Sequence, residues 1–422
     1  MAFIHNTEQV ISNSSDWFTD DISSTSPNLN SKVEITNMDK KRISYRRSCH
    51  VQQRGICATL VFLVLIIGTI LFAYTAFATS IKDNTIQQVT FLFRHGDRTP
   101  LRTYPSDPHK NYSWPGGWGA LTTKGMRQLY NLGKQIRKTY SSTVGLKYNS
   151  TISFIRSSDS DRCIMSAQAL LAGLYPPTAD QIFVPKLKWR PIPVHTVPRN
   201  MDKVIVVKAP CPKLKQALAE AYVNESIKSD GKLENYYKEL TMHTQQPMKT
   251  ITDIEFLYNL FDIQTKYNLE LPNWAKKFYN DEMKNIAARA LTLLTSNTLL
   301  QRLHGGPLLK EVLNQMQESQ IKKDTKKAYF YSVHDVTLVN LLRTMGFTNE
   351  LFLPEYGATI IFELHSYSDE EREVKVSYLN NTKSIKPHSL NIPNCKQPCL
   401  LSNLLNVWKD VIPTDWDNEC IS

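Results

Sequence analysis

Gln88-Val89-Thr90-Phe91-Leu92-Phe93 runs directly into Arg94-His95-Gly96-Asp97-Arg98-Thr99-Pro100, and the fold is read outward from that junction. The first six residues are mainly apolar, β-branched or aromatic, the composition of a short buried strand. Two later runs end in the same manner. Thr151 to Ile155 stops on Arg156, and Tyr329 to Val333 stops on His334-Asp335. A single charged residue after a strand normally just begins a solvated loop. Three such turns, each carrying Arg or His, point to one shared site, because ligands in open α/β sheets bind outside the carboxyl ends of the strands.

The segments between these strands have helical spacing. Thr122 to Tyr140 carries Met126, Leu129, Leu132 and Ile136 behind a capping threonine, and Ser160 to Leu174 stops at Pro176-Pro177. An apolar helix follows His334-Asp335 as far as Met345, and Thr359 to Leu364 and Val374 to Leu379 read as late strands. From about Asn200 to Thr295 the periodic segments are long, charged and Leu-rich, with no strand after Val207, which describes a helical insertion. The expected fold is α/β: a mixed sheet with helices on both faces, built from 85–199 and 296–422, with an inserted, mainly helical cap over about 200–295. No repeat or nucleotide-binding glycine pattern appears, since Gly116-Gly117-Trp118-Gly119 does not open a helix after a strand.

With 422 residues and 41% hydrophobic content the chain has ample material for a large core. Its 15 Gly and 21 Pro exclude collagen-like and low-complexity readings, and seven cysteines are too few for a disulfide scaffold. No charged residue occurs from Gly55 to Ile81, and the centre of that segment is Leu, Ile, Val, Phe and Ala, enough to cross about 30 Å of hydrocarbon. Lys40, Lys41, Arg42, Arg46, Arg47 and Arg54 precede it, whereas only Lys82 follows closely. The positive-inside rule then predicts a cytosolic tail over 1–54, disordered by its composition, a transmembrane signal anchor over 55–81, and a lumenal or extracellular domain over 82–422. Ala76-Phe77-Ala78 also has the form of a signal-peptidase site, so cleavage after Ala78 and secretion is the rival outcome. Sequons at Asn111, Asn149, Asn224 and Asn380 fit a glycoprotein of the secretory pathway. The net charge is +11, and the first 54 residues hold seven basic and six acidic side chains, so +10 lies beyond them. Those basic residues are scattered, which argues against a nucleic-acid partner.

Arg94 and Arg98 flank His95 within one turn, and Arg156 is expected to join them from the neighbouring strand. Guanidinium groups bind phosphate oxygens through paired, charge-assisted hydrogen bonds, and several converging on one point repel each other unless a dianion lies between them. Neighbouring cations disfavour imidazolium, so His95 should stay neutral below its usual pKa of about 6.5 and remain a nucleophile for phosphorus. His334 adds a hydrogen-bond donor, and Asp335 is placed to protonate a leaving alkoxide and later to take a proton from water. Gly96 lets backbone approach the site and Pro100 stiffens its exit. The ten histidines include no close pair of the zinc type, so neither a metal nor another cofactor is expected.

The run from Arg94 to Pro100 matches the Arg-His-Gly-x-Arg-x-Pro signature of the histidine acid phosphatases, the second branch of the histidine phosphatase superfamily, and the chain resembles that family over nearly all of the region beyond residue 82. Trp114-Pro115, Gly119, Leu121-Thr122, Gly125-Met126 and Gln128 resemble its next segment. Arg156-Ser157-Ser158-Asp159-Ser160-Asp161-Arg162 with Met165-Ser166-Ala167, and Pro193-Val194-His195-Thr196, resemble two further blocks, and His334-Asp335 resembles its last. The resemblance implies a phosphoric monoester hydrolase active at acid pH, acting through a phosphohistidine. His95 is its nucleophile, Arg94, Arg98, Arg156 and His334 hold phosphate, Asp335 donates the proton, and His195 is structural. It also implies bridges Cys211–Cys420 and Cys395–Cys399, while Cys163 stands as a free, partly buried thiol where relatives usually have Thr. A homodimer is compatible with it, and so is a lysosomal or cell-surface location. The rivals are a phytase, lysophosphatidate or phosphotyrosyl phosphatase specificity on the same site, and a catalytically silent secreted or cell-surface binding protein. His334-Asp335 argues against the phytase branch, which often carries His-Ala-Glu there, and the presence of all six central residues argues against the silent protein.

Overall fold

The apolar run ahead of the signature becomes the strand β1 (Ile86–Arg94) in a computed structural model of the chain, which describes residues 62–72 and 86–421 apart from Asp230, Lys323, Glu350, Asp369 and Ile385. Five further strands are β2 (Ser153–Ser157), β3 (Ala328–Val333), β4 (Thr359–Ser366), β5 (Arg372–Leu379) and β6 (His388–Leu390). They form one sheet in the order β2-β3-β1-β4-β5-β6. β3 runs parallel to both β1 and β2, and the remaining pairs are antiparallel, so the sheet is mixed. β6 escaped the sequence reading because three residues carry no periodic signal.

Within 86–421 the α-helices of six or more residues are α1 (Thr123–Val144), α2 (Asp161–Leu174), α3 (Pro212–Lys228), α4 (Lys232–Thr244), α5 (Ile251–Lys266), α6 (Asn273–Phe278), α7 (Asp281–Thr292), α8 (Gly306–Ile321), α9 (Asp335–Thr344), α10 (Leu401–Val407) and α11 (Trp416–Ile421). Side chains alternate across a strand, and both faces of this sheet are covered. Val89, Phe91, Phe93, Ile155 and Phe330 face α1 and α2, whereas Leu92, Tyr331, Val333, Ile360 and Phe362 face α8, α9 and α10. That double burial is why β1 and β3 read as continuous apolar runs. Thr122 caps α1 as its sequence predicts, its hydroxyl accepting from the Gly125 amide at 3.0 Å. α1 and α2 cross with their backbones in contact. A Cβ on Gly133 would lie 2.0 Å from the Leu170 carbonyl oxygen, and one on Gly173 the same distance from that of Tyr130.

α3 to α7 follow one another with no strand among the described residues between Val207 and Ala328, in agreement with the helical periodicity. α4 to α7 enclose a core of their own around Leu240, Ile254, Leu257, Leu260, Phe261 and Met283. The loop after β1 reaches into that core: Tyr104 packs edge-on against Phe261 and Trp274 at 6.3 and 5.8 Å, and the buried Asp107 accepts from Gln264 Nε2 at 2.9 Å. α5 is thereby held beside the strand ends. Disulfides Cys211–Cys420 and Cys395–Cys399 both form, the first tying the start of α3 to α11. Cys163, expected to be partly buried, is wholly so, because it points from α2 into the sheet beneath it.

The chain divides into two compact units, 1–78 and 79–422. In the first, residues 62–72 are helical and exposed. Among the described residues no helix is long and apolar enough to cross a membrane. The tail over 1–54, the remainder of the 55–81 segment, its flanking charges and Ala78 lie outside the described residues.

Because a methyl group at either crossing glycine has a backbone carbonyl in its way, Gly133→Ala and Gly173→Ala should each destabilise the protein by about 2–3 kcal/mol, read as a fall in the urea midpoint.

Candidate active site

The turn after β1 is fixed before any side chain is considered. The His95 amide donates to the Val333 carbonyl at 3.0 Å, and the Gly96 amide donates to Ser166 Oγ at 3.1 Å. The Asp97 amide donates to Gln128 Oε1, and the Asp97 carboxylate accepts from Thr122 Oγ1, both at 2.8 Å. A Cβ on Gly96 would stand 2.5 Å from the Gly125 carbonyl oxygen, and one on Gly125 would stand 2.3 Å from that of Asp97. Gly96 is therefore required for the turn to lie on the start of α1, a different reason from the ligand approach its sequence suggested.

His95 is buried with Nδ1 2.9 Å from the Gly96 carbonyl oxygen. That oxygen only accepts, so Nδ1 carries the proton and Nε2 keeps its lone pair. Burial holds the imidazole well below its usual pKa, and Arg94, Arg162, His334 and Arg98 push it further the same way. His334, at the end of β3, has its ring centroid 5.6 Å from that of His95. Its Nδ1 lies 3.3 Å from Arg162 Nη2, which only donates, so Nε2–H donates to Ser158 Oγ at 2.9 Å. Burial and Arg162 lower it to about 3.

Asp335 opens α9, with its carboxylate 2.5 Å from Arg94 Nη2. Burial would raise this carboxyl, but Arg94 and Arg98 outweigh burial and hold it below the usual carboxylate range. Arg94 also donates to the Pro354 carbonyl and lies over the Tyr356 ring, 4.2 Å from its centroid. A pocket of about 220 Å³ opens on His95, Arg98, Arg162, His334 and Asp335. Arg98 and Arg162 have no carboxylate within ion-pair distance among the described residues, and the buried Nε atoms of Arg94, Arg98 and Arg162 have no hydrogen-bond partner among them. Cations that converge without a counter-ion of their own are arranged for an anionic group.

One site residue read from the sequence must be corrected. Arg156 does not end its strand: β2 continues to Ser157, and alternation sends Ile155 to one face and Arg156 to the other. There its guanidinium meets Glu311 at 2.9 Å and the buried Asp202 at 3.3 Å, so its charge is already answered. The arginine from this part of the chain that lines the pocket is Arg162, in the first turn of α2. Like Asp335 after β3, it lies in the first turn of the helix that follows its strand. Arg199, Lys208, Glu255 and His304 also line the pocket and carried no local signal, since they arrive from distant segments. His195 pairs beside β2, its ring stacked on Phe154 at 5.2 Å, a structural place as expected. The four sequon asparagines, Asn111, Asn149, Asn224 and Asn380, are all exposed.

The fold and the pocket together describe an α/β protein with an imidazole and uncompensated guanidinium groups at its strand ends. The family model of the histidine phosphatase superfamily (branch 2) matches residues 85–379, and the chain belongs to that superfamily. It is 34% identical over 350 residues to prostatic acid phosphatase of Bos taurus, covering 81% of this chain and 89% of the relative. To lysosomal acid phosphatase of Homo sapiens it is 33% identical over 348 residues, covering 80% and 81%. Among solved structures, the phytase of Citrobacter braakii superposes with a TM-score of 0.57 at 17% identity, over 80% of this chain and 99% of that one, a likeness of fold.

The two arginines should separate in experiment. Arg162→Ala should weaken inhibition by inorganic phosphate by about 10- to 100-fold, the loss of a charge-assisted contact. Arg156→Ala should leave that inhibition within about threefold but lower stability by about 3 kcal/mol, because the buried Asp202 and the partly buried Glu311 lose their partner. Phosphate inhibition constants and urea midpoints of both variants provide the check.

Proposed function

We propose that this enzyme, an acid phosphatase of its family, transfers the phosphoryl group of a monoester first to His95 and then to water. The observation that carries the reading is the neutral, buried His95 with Nε2 unprotonated, beside guanidinium groups that lack carboxylate partners. Arg98 and Arg162 bind the phosphoryl oxygens, with Arg94 at the edge of the site. Nε2 attacks phosphorus, the P–O ester bond breaks, and Asp335 delivers its proton to the departing oxygen. Water then attacks phosphorus, Asp335 takes its proton back, the P–N bond breaks, and phosphate leaves with His95 neutral again. His334 assists by turning Nε2–H from Ser158 to a phosphoryl oxygen. Arginines aimed at that oxygen charge stabilise the transition state without reorganising.

Asp335 starts this cycle ionised, held so by Arg94. A bound phosphoryl group neutralises the arginines and adds negative charge nearby, so the carboxyl takes up a proton on binding. The proton arrives with the monoanionic ester, whose second pKa is about 6. The sign follows: as pH rises above about 6 the monoanion is lost, and kcat/KM falls.

Residues 85–199 and 296–422 form the core in this reading, with 200–295 as the cap that borders the leaving-group side. The apolar, charge-flanked segment 55–81 supports a type II signal anchor with a cytosolic 1–54, or a leader cut after Ala78. The two disulfides, the exposed sequons and the lysosomal and prostatic relatives support a lumenal, extracellular or secreted catalytic domain that is glycosylated. Retention in the pellet after alkaline extraction marks the anchor, and release marks the cut.

His95→Ala should remain folded and yield no alkali-stable phosphoenzyme after rapid denaturation with labelled substrate; labelling that persisted would remove His95 from its role. kcat/KM should fall about tenfold per pH unit above about pH 6. Asp335→Asn should slow alkyl phosphates by about 10²–10⁴-fold but p-nitrophenyl phosphate much less, because nitrophenolate leaves without protonation.

A further inference from the structure

We infer that Glu255 makes the enzyme select monoesters whose leaving group carries a protonated amine over esters whose leaving group is anionic. The inference rests on the phosphatase reading above. Glu255 lines the same pocket as His95, Arg98, His334 and Asp335, but it comes from α5 and not from the strand-end loops. The phosphoryl group goes to the arginines of those loops, so the leaving group extends toward the wall that α5 supplies. Asn259, one turn further along α5, donates to the Glu255 carbonyl at 3.0 Å and to Oε1, which holds the carboxyl in one orientation.

No Lys or Arg stands within ion-pair distance of Glu255 among the described residues. Arg102, brought to α5 by the loop after β1, lies instead over the neighbouring Phe256 ring, 4.4 Å from the centroid. Arg94 is paired with Asp335, and Arg98 and Arg162 are taken by the phosphoryl group in the proposed reaction. The Glu255 carboxylate is then left without a cation, next to a newly bound dianion. An ammonium group a few bonds beyond the ester oxygen answers it. A second phosphate or a carboxylate there meets the Glu255 carboxylate and is repelled, since like charges in a partly buried site interact strongly. The remaining pocket cations, Arg199 and Lys208, come from the segment before α3 and make no ion pair with Glu255.

The test compares O-phosphoethanolamine with propyl phosphate, which is matched in length and lacks the charge. Burial and the nearby Asp335 raise the Glu255 carboxyl to about 7, so the comparison is made at about pH 7.5, where its ionised form is populated. The kcat/KM ratio of amine to alkyl ester should fall about tenfold in Glu255→Gln and further in Glu255→Lys, while Glu255→Asp should recover part of it. The ratio of inositol hexakisphosphate to propyl phosphate should move the opposite way. Thermal unfolding of each variant identifies any that fail to fold, and the aspartate variant then carries the comparison. Ratios unchanged across folded variants would overturn the inference and leave the phosphatase reading standing. Failure of the wild-type enzyme to hydrolyse propyl phosphate and p-nitrophenyl phosphate alike would overturn the reading itself, and the inference with it.

Discussion

An imidazole kept neutral among guanidinium groups is the interaction on which the rest of this site depends. Desolvation works in its favour, because a buried ring resists taking a second positive charge, and each neighbouring arginine adds to that resistance. The same cations would be costly to assemble with nothing to face, and part of that cost is met by Asp335, which neutralises Arg94, and by the Tyr356 ring beneath it. Arg98 and Arg162 are left for the phosphoryl group in the proposed reaction. In that reaction one electrostatic arrangement keeps His95 neutral, keeps Asp335 ionised until an anion arrives, and makes proton uptake a consequence of binding.

Holding such a cluster together requires a backbone that does not yield, and the sheet supplies it. β1, β2 and β3 are neighbours and parallel, so their carboxyl ends open on the same edge, and the turn after β1 is pinned by Ser166, Gln128 and Thr122. Gly96 and Gly125 let that turn sit directly on α1. The helical layer contributes differently. Its own core is separate from the sheet cores, yet Tyr104 and Asp107 fasten the loop after β1 into it, which brings α5 and Glu255 to the pocket. In the proposed reaction the chemistry resides on the strand ends, and the surroundings of the leaving group are set by a segment remote in the chain.

Arg156 and Arg162 illustrate how a small shift in register changes a role. Ending β2 at Ile155, two residues early, would leave Arg156 free to turn toward the site. With Ser157 still in the strand, Arg156 must lie across the face opposite Ile155, where Glu311 and Asp202 await it. Six residues later, the first turn of α2 delivers the arginine that reaches the pocket.

The first five strands, the helices after β1, β2 and β3, the capping threonine, the helical stretch after Val207 and the signature around His95 were all legible in the sequence, because each depends on neighbours within a few residues: alternation, helical period and turn chemistry. Two sulfur bridges followed only from family likeness. What tertiary structure alone decided is which distant groups share the pocket: Arg162 in place of Arg156, Glu255, Lys208 and His304, and the wholly buried state of Cys163. No local pattern records those meetings, since sheet order and helix docking bring together residues more than a hundred positions apart.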